Sequence, residues 1–289
     1  MPHHHSSTDH STHSQPDTPD ELLDLDGEVL QAYWDAALRW VLATVGDAPL
    51  SRVVDLGAGT GTGALGMARL LPTSEVLAVD VSKPSLQRLR EKAAADGMDN
   101  HVRTVEADLD DGWPELGSVD LTWASMSLHH LAEPGRVLAE LRQSTTPGGA
   151  LAVAEFAEPL RFLPDELGLE RGGFEDRVLA VLGQAHTEQF PHLGSVWADV
   201  LTEAGWHTAD ERAFTIDLNP STHPRAGRYA WSWFRRLSEN LEDRLEPSDR
   251  ATLAALLDEH GEQSLLHRRD LHIRGVRTVT LARAHRTGS

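Results

Sequence analysis

Apolar and polar positions follow two periods along most of this chain. Short runs rich in β-branched residues occur at Arg52–Leu56, Glu75–Asp80, Val102–Glu106, 119–124 and 150–156. Between them, apolar residues recur every three or four positions. The short runs predict buried strands and the intervals predict helices. One helix is expected at 63–71, stopped by Pro72; one is capped by Ser82 and ended by Gly97; one is expected at 133–143. The turn Pro147-Gly148-Gly149 opens the fifth strand. Strands alternating with helices predict a parallel sheet covered on both faces. After a helix at 195–204, Trp206–Leu218 and 277–284 predict a sixth and a seventh strand.

Three further stretches have helical spacing but no place in that alternation. Residues 18–50 carry Leu30, Tyr33, Trp34, Leu38, Val41, Leu42 and Val45 on one face, and predict an N-terminal helical cap. The cap opens on the capping-box sequence Thr18-Pro19-Asp20-Glu21 and is expected to break or re-cap near Asp26-Gly27. Residues 157–191 and 219–274 are too long to be simple connections and predict helical insertions, the second with an aromatic cluster of Tyr229, Trp231, Trp233 and Phe234. Residues 1–17 hold His3, His4, His5, His10 and His13 among Ser, Thr, Asp and Pro, which cannot bury a core and predict a disordered tail.

With 289 residues, 40% of them hydrophobic, the chain is long enough for one large α/β domain with additions. The 45 acidic against 26 basic residues give a net charge of −19, which argues against nucleic acid and anionic membrane surfaces as partners. The absence of cysteine excludes disulfides, a thiol nucleophile and a Cys-ligated zinc site. His186, Glu188 and His192 lack supporting acids at a defined spacing, so no metal site is expected. No apolar run reaches membrane length and no apolar leader segment is present, which makes the cytoplasm the expected location.

Candidate chemistry begins where the first strand ends. Asp55-Leu56-Gly57-Ala58-Gly59-Thr60-Gly61 is a glycine-rich turn followed at once by a helix. Glycines let the backbone bend sharply and approach a ligand, and the free N–H groups of the helix end face it. Two cofactor classes use such loops. A nicotinamide-binding GxGxxG counted from Gly57 needs its third glycine at position 62, which is Thr62; the pattern Gly61, Gly63, Gly66 begins four residues late. Asp80, at the tip of the second strand, is where open parallel sheets bind ligands, and its carboxylate can accept both hydroxyls of a ribose.

The DxGxGxG loop, Asp80, Asp108 after the third strand and the Ser125-Met126-Ser127-Leu128-His129-His130-Leu131 segment after the fourth resemble the ordered motifs of class I S-adenosylmethionine-dependent methyltransferases. The resemblance covers about residues 52–156. It implies that Gly57, Ala58, Gly59 and Gly61 cradle the methionine half of S-adenosylmethionine and that Asp55 holds its amino group. It implies that Asp80, beside Val81, binds the ribose, that Asp108 and the Leu109 backbone meet the adenine, and that Ser125 lines the sulfonium side. It also implies a Rossmann-like seven-stranded mixed sheet, helices on both faces, with the seventh strand antiparallel between the fifth and sixth. Residues 51–289 are then a methyltransferase domain.

The implied reaction moves a methyl group from S-adenosylmethionine to a small-molecule metabolite with an aromatic or apolar part, leaving S-adenosylhomocysteine. Tyr33, His130 and Tyr229 are the candidates for a base or a positioning group, and Tyr33 and Trp34 for closing the cleft. Three other readings stay open at this point: a non-catalytic S-adenosylmethionine-binding module, a nicotinamide-dependent oxidoreductase, and an enzyme using the same cofactor site for a non-methylating reaction such as a cyclisation. The acceptor atom and the oligomeric state are left open by the sequence.

Overall fold

A computed structural model describes residues 19–164, 167, 172–219 and 223–284. The histidine-rich stretch and Thr18 of the capping box lie outside the described residues. Two helices, α1 (Pro19–Val29) and α2 (Gln31–Val45), precede the sheet. An alternating segment follows: β1 (Arg52–Leu56), α3 (Thr62–Leu70), β2 (Glu75–Asp80), α4 (Lys83–Ala95), β3 (Val102–Glu106), β4 (Val119–Ser125), α5 (Pro134–Ser144) and β5 (Thr145–Arg161). Then come α6 (Phe174–Gln189), α7 (Trp197–Glu203), β6 (Trp206–Leu218), α8 (Ala226–Leu241), α9 (Pro247–Leu257) and β7 (Ile273–Ala284).

The seven strands form one sheet in the order β3-β2-β1-β4-β5-β7-β6. Strands β1 to β5 run parallel, and β7 runs antiparallel to both β5 and β6. Successive residues of β1 feed opposite cores: Val53 joins the core under α2 and α3, while Val54 and Leu56 join the one under α5 and α7. That two-sided burial is why the strands read as continuous apolar runs rather than alternating ones.

Two boundaries differ from the sequence expectation. Strand β5 extends back to Thr145, which pairs with Val119 of β4, and forward to Arg161, and β7 begins before Arg277, because β5 and β7 pair from Ala150↔Arg283 to Arg161↔Arg274. The ladder carries flanking residues into strand geometry, with register shifts at Phe156/Glu158 and Glu158/Arg161. The helical cap breaks at Leu30 rather than at Asp26-Gly27. Gly27 stays helical where α1 crosses the start of α3, and a Cβ there would fall 2.4 Å from Thr62 Oγ1.

Helix α1 is acidic, and its charges find partners on three other elements. Asp20 accepts a hydrogen bond from Ser85 Oγ at 2.6 Å, and Asp24 pairs with Arg88 and Lys92, all on α4. Glu21 pairs with Arg228 at 3.0 Å and Glu28 with Arg225 at 2.5 Å, at the start of α8. Asp26 pairs with Arg277 of β7, whose side chain is 2% exposed. Asp26 also accepts from Trp34 Nε1 at 3.0 Å and from Tyr229 Oη at 2.7 Å. The Arg277 guanidinium lies 4.9 Å from the Tyr33 ring and 5.7 Å from the Phe156 ring. Burial pushes the Asp26 carboxyl up, but the Arg277 charge and the hydrogen bonds of Arg277, Tyr229 and Trp34 outweigh it and hold the group below its usual range.

A buried ion pair that loses one member leaves an uncompensated charge, at a cost of about 3–5 kcal/mol. Asp26→Ala is therefore expected to lower unfolding free energy by about that amount in urea titration. The double variant Asp26→Leu with Arg277→Met is expected to lose less than Asp26→Ala alone, because no charge is stranded.

Candidate active site

The glycine-rich loop is held by backbone bonds to the strand beside it. The N–H groups of Gly57 and Ala58 both donate to Val79 O, at 2.8 and 3.0 Å. Gly57 has φ +71, and a Cβ there would fall 2.3 Å from Ser127 Cβ, so only glycine fits. Ser127 Oγ in turn donates to Leu56 O at 2.8 Å. Asp80 spans the β2 tip: one carboxylate oxygen accepts from Gly59 N–H at 2.7 Å and the other from Ser82 N–H at 2.8 Å. Asp80 therefore shapes the loop while its remaining lone pairs face the cleft.

Asp55 sits beneath the loop, 2% exposed. Burial raises its pKa to about 7; the Ala64 N–H opposes this and the Asp80 charge adds to it. Asp55 Oδ2 has no hydrogen-bond partner, and neither do Thr60 Oγ1, Trp123 Nε1 or Ser125 Oγ, all buried. Gly63 leaves room for this group, since a Cβ would fall 2.7 Å from Asp55 Oδ2 and 2.9 Å from Trp123 Nε1. Met126, next to Ser125, is the one non-glycine with positive φ among the described residues, at 53°. Backbone of this kind at a strand tip re-aims the chain toward a cleft.

These groups surround one cavity of about 1080 Å³ beyond the carboxyl ends of the parallel strands. Asp55, Gly57, Ala58, Gly59, Asp80, Val81, Asp108, Leu109 and Ser125 all line it. Gly61 does not: it adopts φ +92 at the start of α3, and a Cβ there would fall 2.4 Å from Leu89 Cγ. Its glycine serves the contact between the loop and α4. Val81 is 62% exposed and presents an apolar edge beside Asp80.

The three candidate base or positioning residues fare differently. Tyr33 is not among the cavity-lining residues. It is buried between Arg277 and Phe214, with ring centroids 6.0 Å apart in the latter case, and burial raises its hydroxyl to about 12. Tyr229 lines the cavity, but its hydroxyl donates to Asp26, and burial followed by the Asp26 charge raises its pKa further. His130 lines the cavity, and its pKa is lowered to about 4, first by desolvation and then by the charges of His129, His186 and Arg236. The adjacent His129 is buried instead and hydrogen-bonds Glu155 of β5 through Nδ1 at 2.8 Å. Of the two aromatic cap residues, Trp34 rather than Tyr33 reaches the cavity wall.

Sequence reading did not single out Asp26, Arg236 or Arg277, which also line the cavity. Arg277 carried a weak signal, as an arginine beside the apolar Val279 and Leu281 of the expected seventh strand, where a buried charge needs a partner. Among the described residues no group of three or more His, Asp or Glu side chains is placed to hold a metal ion. Glu188 pairs with Arg244 at 2.8 Å, and His192 Nε2 lies 3.4 Å from Ala132 O. Among the described residues no helix is long and apolar enough to cross a membrane.

The residues present fit S-adenosylmethionine on their chemistry. The partnerless oxygen of Asp55 suits a cationic amino group, Asp80 suits ribose hydroxyls, and Val81 and Leu109 suit the faces of a flat heterocycle. Each hydrogen bond to a charged group contributes about 1.5–3 kcal/mol, so Asp80→Ala is expected to weaken S-adenosylhomocysteine binding by about tenfold or more in calorimetry. Asp55 generates a pH dependence. Its raised pKa means that a bound cation must displace a proton below about pH 7, so affinity for S-adenosylmethionine rises with pH through that value. In the ligand-free protein the same group adds stability at low pH, and that stability is lost as pH rises from its ordinary 3.8 through about 7. Asp55→Asn is expected to flatten the affinity profile, measured by calorimetry across that range.

Known proteins share these features. Residues 53–149 match the family model of a methyltransferase domain. The 27-O-demethylrifamycin SV methyltransferase of Amycolatopsis mediterranei is 31% identical over 246 residues, covering 76% of this chain and 88% of the relative. The demethylmenaquinone methyltransferase of Thermus thermophilus is 35% identical over 153 residues, covering 51% of this chain and 66% of the relative. The chain spans less than two thirds of the length of the first two curated relatives it matches, 35% and 66%. In fold it is similar to Haemonchus contortus phosphoethanolamine N-methyltransferase 2 solved with S-adenosylhomocysteine, with a TM-score of 0.52, 14% identity, and coverage of 92% of this chain and 58% of that one. The near-full-length rifamycin-type relative, the domain match and the mixed sheet with its acid-tipped strands lead to one conclusion: this chain belongs to the class I S-adenosylmethionine-dependent methyltransferase family.

Proposed function

We propose that this protein transfers the methyl group of S-adenosylmethionine to a small-molecule acceptor with an apolar or aromatic part. The observation that carries this reading is the continuous cavity of about 1080 Å³ at the strand tips. Pockets for one drug-sized ligand span about 300–1,000 Å³, so this one has room for a cofactor and a second molecule. Its walls divide accordingly. Acids and glycines of the β1, β2 and β3 tips line one part, while Trp34, Phe156, Leu160, Leu179, Leu182 and Trp233 line the other. Those apolar residues come from the cap, the end of β5, α6 and α8, which supports reading the cap at 18–50, with the insertions at 157–191 and 219–274 of a methyltransferase domain at 51–289, as the acceptor side.

When bound, the cofactor supplies a methyl carbon already activated by a sulfonium. The chain's own work is then alignment and exclusion of water, and holding two reactants in line contributes about 7–11 kcal/mol. Asp55, Asp80, Asp108, Leu109 and Ser125 hold the cofactor in this reading, and the apolar wall seats the acceptor. His130 is neutral at physiological pH and available to accept a hydrogen bond from an acceptor hydroxyl. The names of two relatives specify low-molecular-weight acceptors, demethylrifamycin SV and demethylmenaquinone, which supports the same substrate class here. The net charge of −19 supports an acceptor other than nucleic acid.

The test is transfer itself. Incubated with methyl-labelled S-adenosylmethionine and a metabolite extract of its source, the protein is expected to place label in a low-molecular-weight organic product, and Asp80→Ala to reduce the yield. Label confined to protein or nucleic acid overturns the acceptor class. Cofactor binding without transfer to any acceptor overturns the catalytic reading in favour of a binding module.

A further inference from the structure

The far end of the cavity, between the β4 tip, α6 and α8, has a charge character unlike the rest of this acidic chain. His130, His186 and Arg236 line it. The His130 ring lies 4.7 Å from the Phe190 ring, and the His186 ring lies 5.8 Å from that same ring, so two imidazoles share one aromatic neighbour. Two other arginines lie on α8 and one lies just before it, and their partners make a contrast. Arg225, just before the helix, pairs with Glu28, Arg228 with Glu21 and Arg235 with Glu239. Arg236, an exposed side chain at the cavity wall, has no carboxylate partner among the described residues.

None of the acids that line the cavity pairs with Arg236 among the described residues, and several are engaged elsewhere. Asp26 pairs with Arg277, Asp80 accepts from the loop, and Asp110 accepts from Ala132 N–H at 3.0 Å. Behind the wall, Glu155 is bonded to His129. Glu158 lines the cavity from β5 without pairing with Arg236. Desolvation first, and then the nearby His129, His186 and Arg236, hold His130 below its ordinary value, so an anion bound beside Arg236 would favour its protonated form.

Resting on the methyl-transfer reading of this cavity, we propose that Arg236, flanked by His130 and His186, binds a carboxylate of the acceptor. A planar guanidinium matches a carboxylate through two parallel hydrogen bonds. One free cation balances one negative charge, whereas a phosphate dianion would be left half-compensated in a strongly acidic protein. The apolar side chains of Leu179, Leu182 and Trp233 alongside suit the hydrophobic body of the same molecule. The acceptor is thus an amphipathic acid whose charge fixes its orientation on the α6–α8 side of the cavity, and Arg236 is a specificity residue.

The experiment compares naphthalene-2-carboxylate with the neutral naphthalene-2-carboxamide and with 2-naphthyl phosphate, titrated calorimetrically into the full chain saturated with S-adenosylhomocysteine. The carboxylate is expected to bind about tenfold or more tightly than the amide, and more tightly than the phosphate. Arg236→Gln is expected to erase that preference with cofactor affinity unchanged, and Arg235→Gln, the same charge change one residue away, to preserve it. Equal affinity for acid and amide, a preference that survives Arg236→Gln, tighter binding of the phosphate, or no binding of the carboxylate at millimolar concentration overturns the proposal. If the wild-type chain does not bind S-adenosylhomocysteine, the methyl-transfer reading falls, and the same acid-against-amide comparison on the cofactor-free protein still decides the role of Arg236.

Discussion

A carboxylate on the first helix and a guanidinium on the last strand meet in the interior, and much of the molecule is organised by that encounter. Asp26 and Arg277 are separated by 251 positions in sequence. Their pairing fastens the helical cap to the antiparallel strand, and Tyr229 brings the second insertion to the same point through its bond to Asp26. The alternatives for a buried guanidinium are severe, because an unpaired charge in the interior loses its hydration without return. Cap, insertion and sheet are therefore mutually dependent. The remaining acids of α1 reinforce the docking through α4 and α8, but these partly exposed pairs are weaker and easily screened.

The same encounter shapes the cleft. Asp26, Trp34, Tyr229 and Arg277 all contribute to the cavity wall, so the elements that close over the sheet edge are locked by the residues that face the ligand space. The opposite wall is built by a different device. The loop after β1 hangs from Val79 O and from the Asp80 carboxylate, which leaves buried polar atoms of Asp55, Thr60, Trp123 and Ser125 without partners inside the protein. Unsatisfied groups of this kind are rare in a protein interior and mark a place prepared for a polar ligand. In the proposed reading, the strand tips form the cofactor side and the cap and insertions the acceptor side.

The acceptor side explains why no single base stands out. Tyr229 keeps its proton because its hydroxyl faces a carboxylate in a buried setting, and Tyr33 is turned into the core beneath the cap. His130 is held below its ordinary value by desolvation and then by its neighbours, so it can accept a hydrogen bond without itself carrying charge. Methyl transfer from a sulfonium asks more of alignment than of proton transfer. A site rich in apolar walls with a few oriented polar groups is consistent with that demand.

Much of the sheet was legible in the chain itself. Arg52–Leu56, Glu75–Asp80, Val102–Glu106 and Trp206–Leu218 are strands within the expected bounds, the first two as apolar runs buried on both sides and the other two at the sheet edges. The cluster of Asp55, Asp80 and Asp108 at one cleft was legible too, since each follows a strand and parallel strands end on the same edge. Pairings between distant segments were not. The Asp26-Gly27 dipeptide has the local look of a helix break, yet Asp26 is an ion-pair partner and Gly27 a close contact with α3. Gly61 looks like one more cradle glycine, yet its space is taken by Leu89. The chain by itself determined strands, helices and the order of their polar tips, because those follow from local periodicity. Only the tertiary structure decided which of two neighbouring aromatics or histidines faces the cleft, and which arginine of α8 is left without an acid, because those depend on what the rest of the chain brings alongside.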